Sequence, residues 1–323
     1  MIIMLRSSLF RPLALTAAAA LLITTSACST QNTPSSKPSI VVGAYPFAYV
    51  AEAVVGDKAE VNNLLAPGAD SHDLELSPQQ TAAVKKADLV VYQSKLQASL
   101  DEAVQQQSPK NVLDSADFLE LRLANANDHG DSDEHEHADE HEHEHEHEHG
   151  KYDPHVWLNP ANVSEIGDKV AEKMAEIDPD NADSYKANAE KLTETMKTLD
   201  KDFETGLANC EIHTFITNHA AFGYLADRYG LDQIGISGLS TEDEPSPARI
   251  EEIQKTAKAT NVTTIFYEQA VSSKVAETIA SDLGLETDVL DPVETLSDKS
   301  KGKDYAEVMR SNLESLKKAN RCS

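Results

Sequence analysis

The chain carries twelve histidines, and they fall into two populations. Eight stand in one low-complexity run, His129, His135, His137, His141, His143, His145, His147 and His149, interleaved with eleven acidic residues between Asp128 and His149. Four are isolated: His72, His155, His213 and His219. The run matches H-E-x-x-H at His141, Glu142 and His145, and again in shifted registers. That motif marks a metalloprotease only on a stable helix in a cleft, and here it is a by-product of a two-residue repeat. Like charges without apolar positions do not build a core, so the run, residues 125–151, reads as a disordered acidic loop. Its imidazoles suit weak, interchangeable metal binding. A solvated insertion with no metal role is the plainer alternative.

The isolated histidines suggest different chemistry. His72 lies in the turn "PGADSHD", His155 in "DPHVWLNP" just before a helix, and His219 ends the run "TFITNH". Asp291 in "VLDPV" and Glu268 in "IFYEQ" stand at the ends of other apolar runs. Ligands of open parallel α/β sheets gather beyond the carboxyl ends of the strands. Three imidazoles and a carboxylate make a coherent tetrahedral shell for Zn²⁺. Each histidine alone is more commonly a hydrogen-bonded boundary residue. By type and spacing, the metal site and the structural role stand about level. His213, at the start of its strand, has the structural role.

These residues need a scaffold, and the pattern supplies one. "SIVVGAY", "AEVNNLLA", "DLVVYQS" and "KNVLDSAD" read as strands separated by helical segments. "SPQQTAAVKKA" has Ser77 to cap a helix and Pro78 at its first position. After the acidic loop, "NPANVSEIGDKVAEKMAEID" predicts one helix and residues 178–210 the longest of all, with Leu192, Met196, Leu199 and Phe203 at three-four spacing. The βα alternation then resumes to the C-terminus. The expected fold is α/β: two lobes, each a parallel sheet flanked by helices, bridged by one long rigid helix. The expected boundaries are 39–178 for the first lobe, 179–208 for the linking helix and 209–323 for the second lobe.

The ends of the chain bear on its location. Residues 1–27 read as a signal peptide, with Arg6 and Arg11 ahead of "PLALTAAAALLITT". "TSAC" resembles a lipobox, which makes Cys28 a lipidation site, although Thr25 stands where Leu is usual. Residues 28–38, rich in Ser, Thr and Pro, suit a flexible tether. The expected location is the outer face of a cell membrane, with the lipid on Cys28 as anchor. In an exported chain the remaining pair, Cys210 and Cys322, points to a disulfide rather than a metal site. A net charge of −27 argues against nucleic acid as a partner.

The blocks "GADSHDLELSP", "ADLVVY", "DPHVWLNP", "NHAAFGYLADRYGL", "EPSPARI" and "LDPV" give the chain a specific resemblance. They occur in the order found in the metal-receptor family of ABC-transporter substrate-binding proteins, cluster A-I, and the likeness runs over roughly residues 39–322. The family fold is two α/β lobes joined by a rigid helix, with the metal in the cleft. The resemblance implies His72, His155, His219 and Asp291 as metal ligands, with Glu268 as a supporting carboxylate. One departure is that Ser71 and Asp73 flank the first ligand, where Pro and Glu are common. The family's zinc receptors tend to have His at the third position, and this chain has His219; nitrogen-rich ligation also favours zinc over manganese. Similar His-rich loops occur in the zinc receptors. The resemblance therefore implies a monomeric Zn²⁺ receptor, not an enzyme, that serves an ABC permease and its ATPase. A manganese or iron receptor of the same fold, or a metal-binding adhesin, is the alternative.

Overall fold

The computed structural model describes residues 37–124, 152–241 and 245–323. Residues 37–323 form one compact unit. The first sheet has strands β1 (Ser39–Val42), β2 (Glu60–Asn63), β3 (Leu89–Tyr92) and β4 (Val112–Asp114) in the order β2-β1-β3-β4. Helices α1 (Tyr45–Val55), α2 (Pro78–Lys86) and α3 (Ala98–Gln107) make the crossovers. The second sheet has β5 (Thr214–Thr217), β6 (Asp232–Gly235), β7 (Thr264–Tyr267) and β8 (Glu286–Val289) in the order β6-β5-β7-β8. Its crossovers are α6 (Gly223–Tyr229), α7 (Pro247–Ala259) and α8 (Lys274–Leu283). Every strand pair is parallel. The two halves thus repeat one topology, although their sequences show no repeat. In each, the central pair, β1 beside β3 and β5 beside β7, is where the strand order reverses and a crevice opens.

Local chemistry starts the elements as expected. Ser77 and Gln80 form a reciprocal capping box at α2, with Pro78 in the first turn. Asn159 caps α4 (Pro160–Ile177) by accepting the Ala161 N–H. The long helix α5 (Ala182–Leu207) has 26 residues, roughly 39 Å of rod. It buries one stripe, Tyr185, Ala189, Leu192, Met196, Leu199, Phe203 and Leu207. That stripe packs on α1 and α4 of the first lobe and on α6 and α9 (Tyr305–Ala319) of the second, which bridges the lobes. Gly167 of α4 permits close contact, since a Cβ there would lie 2.7 Å from the Leu192 side chain.

The strands show why the core is shared. Ile40 and Val42 face one core and Val41 faces the opposite side of the sheet, the period-two rule of a pleat. Phe215 and Ile216 divide in the same way. The inner faces of both sheets, with α4, α5 and α9, form one continuous apolar core containing Phe47, Trp157, Phe203, Phe215, Phe266 and Tyr305. Smaller clusters cover the outer faces. An apolar core running through both lobes resists wide hinging, because close-packed interiors transmit displacement rather than absorb it. Cys210 and Cys322 are joined by a disulfide that ties the chain just after α5 to the C-terminus. Closing a loop of 112 residues removes about 4 to 5 kcal/mol of unfolded-chain entropy in the loop-closure account.

Candidate metal centre

Four side chains converge between the lobes. His72, His155, His219 and Glu294 each offer a ligand atom, and these atoms lie within 4.8 Å of one another. His72 follows β2, in a turn where the His72 N–H donates to Asp70 Oδ1 at 3.0 Å. His155 precedes a short 3-10 turn over Val156–Leu158. His219 stands two residues beyond β5, and Glu294 follows β8. The first two ligand positions belong to the first lobe and the last two to the second.

The geometry has a focus. Glu294 Oε1 lies 3.1 Å from His155 Nε2, 3.5 Å from His219 Nε2 and 3.6 Å from His72 Nε2. The Nε2 atoms of His72 and His155 are 3.3 Å apart. Two of the rings are held from behind. His155 Nδ1 lies 2.8 Å from Asp153 Oδ1, and His219 Nδ1 lies 2.5 Å from Glu268 Oε1. A carboxylate on Nδ1 selects the tautomer that turns the Nε2 lone pair inward, the usual support of a metal-bound imidazole. Asp153, His155, His219, Glu268 and Glu294 are all buried. Glu294 Oε2 accepts the Ser71 hydroxyl at 2.7 Å, while its Oε1 and His219 Nε2 are buried atoms with no hydrogen-bond partner. Such orphaned polar atoms are costly unless something fills the gap between them. A Zn²⁺ ion matches this donor set of three neutral nitrogens and one carboxylate oxygen.

Charge is balanced within the cluster. Burial acts to raise the Glu294 carboxyl, but the three imidazoles, led by His72, outweigh it and hold it well below the usual range. Burial acts to lower His155, and the Asp153 and Glu294 carboxylates beside it reverse the sign and raise it. His219 is pushed well above the ordinary value: burial opposes the shift, and the Glu268 charge and hydrogen bond carry it.

One expected ligand falls elsewhere. Asp291 is outside the cluster, and Glu294 takes the carboxylate position. The reason is the turn after β8. Asp291 Oδ1 accepts the Val293 N–H at 2.8 Å, and the Asp291 backbone is clasped by Asn312 through N–H and carbonyl at 2.9 and 2.7 Å. Val293 adopts a left-handed φ of 60°, rare for a β-branched residue. That strained turn carries the chain back so that Glu294 points at the histidines. Burial, reinforced by Glu268 and Glu294, pushes Asp291 up to about 6 despite the Val293 hydrogen bond. Asp291 thus shapes the loop that presents Glu294. Glu268 stands behind His219, against its ring Nδ1. Sequence reasoning missed Glu294, Asp153 and Ser71. Asp153 and Ser71 lie within the quoted blocks, so their position beside a histidine was the available signal; Glu294 had none beyond nearness to Asp291. His213 is exposed and outside the site. Cys28 and the eight histidines of the acidic run lie outside the described residues.

Trp157 buttresses the centre. Its ring is fully buried, packs edge-on against His155 with centroids 5.4 Å apart, and donates its indole N–H to the Pro292 carbonyl at 2.7 Å. One residue therefore ties the His155 segment to the loop that leads to Glu294.

Fold and centre together define a class: a two-lobed α/β binding protein with a three-histidine, one-carboxylate cluster in its cleft. The profile described as "zinc-uptake complex component A periplasmic" matches residues 40–319, and the chain belongs to that family. It is 34% identical to the high-affinity zinc uptake system protein ZnuA of Bacillus subtilis, over 93% of this chain and 94% of that protein. It is also 34% identical to the zinc-binding lipoprotein AdcA of Streptococcus pneumoniae over 90% of this chain, but spans only 57% of that protein's length. Among solved structures it is similar to the laminin-binding protein Lmb of Streptococcus agalactiae, described as bifunctional with adhesin and metal-transporting activity. That match has a TM-score of 0.74 and 32% identity, and covers 87% of this chain and 99% of that one. A Zn(II)-bound variant of AdcAII from Streptococcus pneumoniae matches with a TM-score of 0.74 and 32% identity, over 89% of this chain and 100% of that one.

Proposed function

We propose that the protein is an extracytoplasmic receptor that captures Zn²⁺ through His72, His155, His219 and Glu294 and delivers it to an ABC permease and its ATPase. The observation that carries this function is the focus of three imidazole Nε2 atoms on a single glutamate oxygen, each within 3.6 Å. The family and the zinc-binding relatives support the cargo. Four protein ligands complete a tetrahedron and leave no position for an activated water, so the site suits binding rather than catalysis. Among the described residues no helix is long and apolar enough to cross a membrane. Attachment is assigned to a lipid on Cys28, with residues 28–38 as the tether. Neutral imidazoles and the shared apolar core imply capture with small lobe movement.

The test is calorimetric titration of metal-stripped protein with Zn²⁺. The expected result is one tight equivalent. Glu294→Gln should weaken it at least a hundredfold, about 3 kcal/mol. Asp291→Asn, which keeps an acceptor for the Val293 N–H, should stay within about tenfold of wild type. Equal loss in both variants, or loss only in Asp291→Asn, would return the fourth position to Asp291.

A further inference from the structure

The segment that begins with His219 does more than supply one ligand. Four of its residues, His219, Gly223, Tyr224 and Asp227, reach toward the first lobe, and the last three act on a second ligand. The Tyr224 hydroxyl accepts the Arg122 N–H at 2.9 Å and donates to the Asp153 carbonyl at 3.1 Å. Arg122 and Asp153 are themselves paired, Asp153 N–H to Arg122 carbonyl at 2.9 Å, beside the antiparallel bridge of Leu123 and Tyr152. Asp227 Oδ2 receives Arg122 Nε at 2.8 Å, and Arg122 Nη1 lies 3.5 Å from Asp153 Oδ2. The Asp153 side chain is fully buried. Its Oδ1 takes both the His155 backbone N–H at 3.0 Å and the ring Nδ1 at 2.8 Å.

Gly223 makes this approach possible. A Cβ there would stand 2.6 Å from the Arg122 guanidinium carbon and 2.6 Å from Asp153 Oδ2. Any side chain would displace the pair or lift α6 away from it. The first turns of a second-lobe helix therefore grip the short paired segment that leads, two residues on, to a first-lobe ligand.

We propose that Gly223, Tyr224 and Asp227 are positioning residues for metal capture, which set the ring orientation and tautomer of His155 through Arg122 and Asp153. A neutral imidazole has one N–H to give. With Asp153 fixed, that proton stays on Nδ1 and the Nε2 lone pair faces the cleft. With Asp153 loosened, the ring gains the other tautomer and other angles, and the ion must select the competent one. The second lobe thus holds a ligand of the first in readiness. This inference rests on the zinc site proposed above.

The experiment compares full-length wild type, Tyr224→Phe and Gly223→Ala. Zinc affinity is read by competition with a chelator. The His155 tautomer is read from long-range nitrogen–proton NMR of the metal-free protein at alkaline pH, where the ring is neutral. Tyr224→Phe keeps the buried ring and removes only the hydroxyl. Both variants should bind one zinc about tenfold more weakly, and both should show His155 leaving a single Nδ1–H form. Ile279→Val, in the outer core of the second lobe, controls for stability: it should lower the melting temperature and leave affinity and tautomer unchanged. Unchanged affinity in Tyr224→Phe, or weaker affinity with an unchanged tautomer, overturns the proposal. If Gly223→Ala does not fold, Tyr224→Phe decides alone. If wild type binds no zinc, the site itself fails, and the tautomer, measured without metal, still decides this proposal.

Discussion

His155 and His72 come from the same lobe and point at the same oxygen, yet they are built differently. The His155 side chain is fully buried, takes Asp153 on its Nδ1 and lies against Trp157. The His72 side chain retains 9% exposure and sits on an Asp70-capped turn, and among the described residues no protein group bonds its Nδ1. One imidazole is held by a buried carboxylate and a packed indole and the other mainly by its backbone. Ligand type alone therefore says little about ligand strength. What differs is how much freedom remains for the metal to remove on binding, since an unheld ring must be ordered when the ion arrives.

The largest effect expected from this contrast is on zinc affinity. His155→Ala should lose about a thousandfold or more, because it removes a ligand and leaves the buried Asp153 carboxylate without its main partner. His72→Ala should lose less, by about tenfold, and keep one equivalent. Titration of the two variants side by side checks this, and equal losses would break the comparison. A smaller effect comes from Asp153→Asn, which keeps an oxygen near His155 but removes the charge that holds its proton. It should weaken zinc by about ten- to a hundredfold and bring His155 closer to the behaviour of His72.

The last effect is that of pH. His155 and His219 are raised in the metal-free fold, by Asp153 and Glu294 for the first and by Glu268 for the second, against the opposing effect of burial. Zinc must displace those protons, so affinity should fall as pH drops, by up to about tenfold per unit for each proton displaced. The fall should begin above about 6.5, the ordinary histidine value. Stability of the metal-free protein runs the other way. A raised folded pKa contributes stability fully present below the unfolded value and lost as pH rises through the folded value. Melting temperatures of the metal-free form measured at about pH 6 and about pH 9 should therefore decline with pH, while zinc affinity increases. A Tyr224→Phe variant with a weaker pH dependence would sharpen the link between His155 and its supports.

Much of this was legible along the chain. The alternation of β-branched runs and helical segments follows from local periodicity, so both sheets and α5 were accessible before any coordinates. Ser77 with Pro78, and the stripe from Leu192 to Phe203, are local signals of the same kind. His72, His155 and His219 were legible because strand ends and turns are the sequence positions from which a crevice can be lined. The fourth position was not. Asp291 and Glu294 are three residues apart and chemically alike, and nothing local says which one faces inward. The choice depends on Asn312 in α9 clasping Asp291 and on Val293 accepting a left-handed conformation, both set by contacts distant in sequence. Asp153 was hidden, and so was the nitrogen that Glu268 would touch, for a related reason. Their value lies in which nitrogen they touch, and a linear chain does not record that.

The sequence by itself determined the residue types that can ligate zinc and the elements that carry them, because these depend on composition and short-range periodicity, and its motif blocks carried the resemblance to the family. Only the tertiary structure decided that Glu294 rather than Asp291 faces the imidazoles, that Asp153 and Glu268 hold two of them, and that α6 of one lobe braces a ligand of the other. Those are statements about direction at a distance of a few ångströms. They are settled by the packing of segments that meet only when the chain is folded.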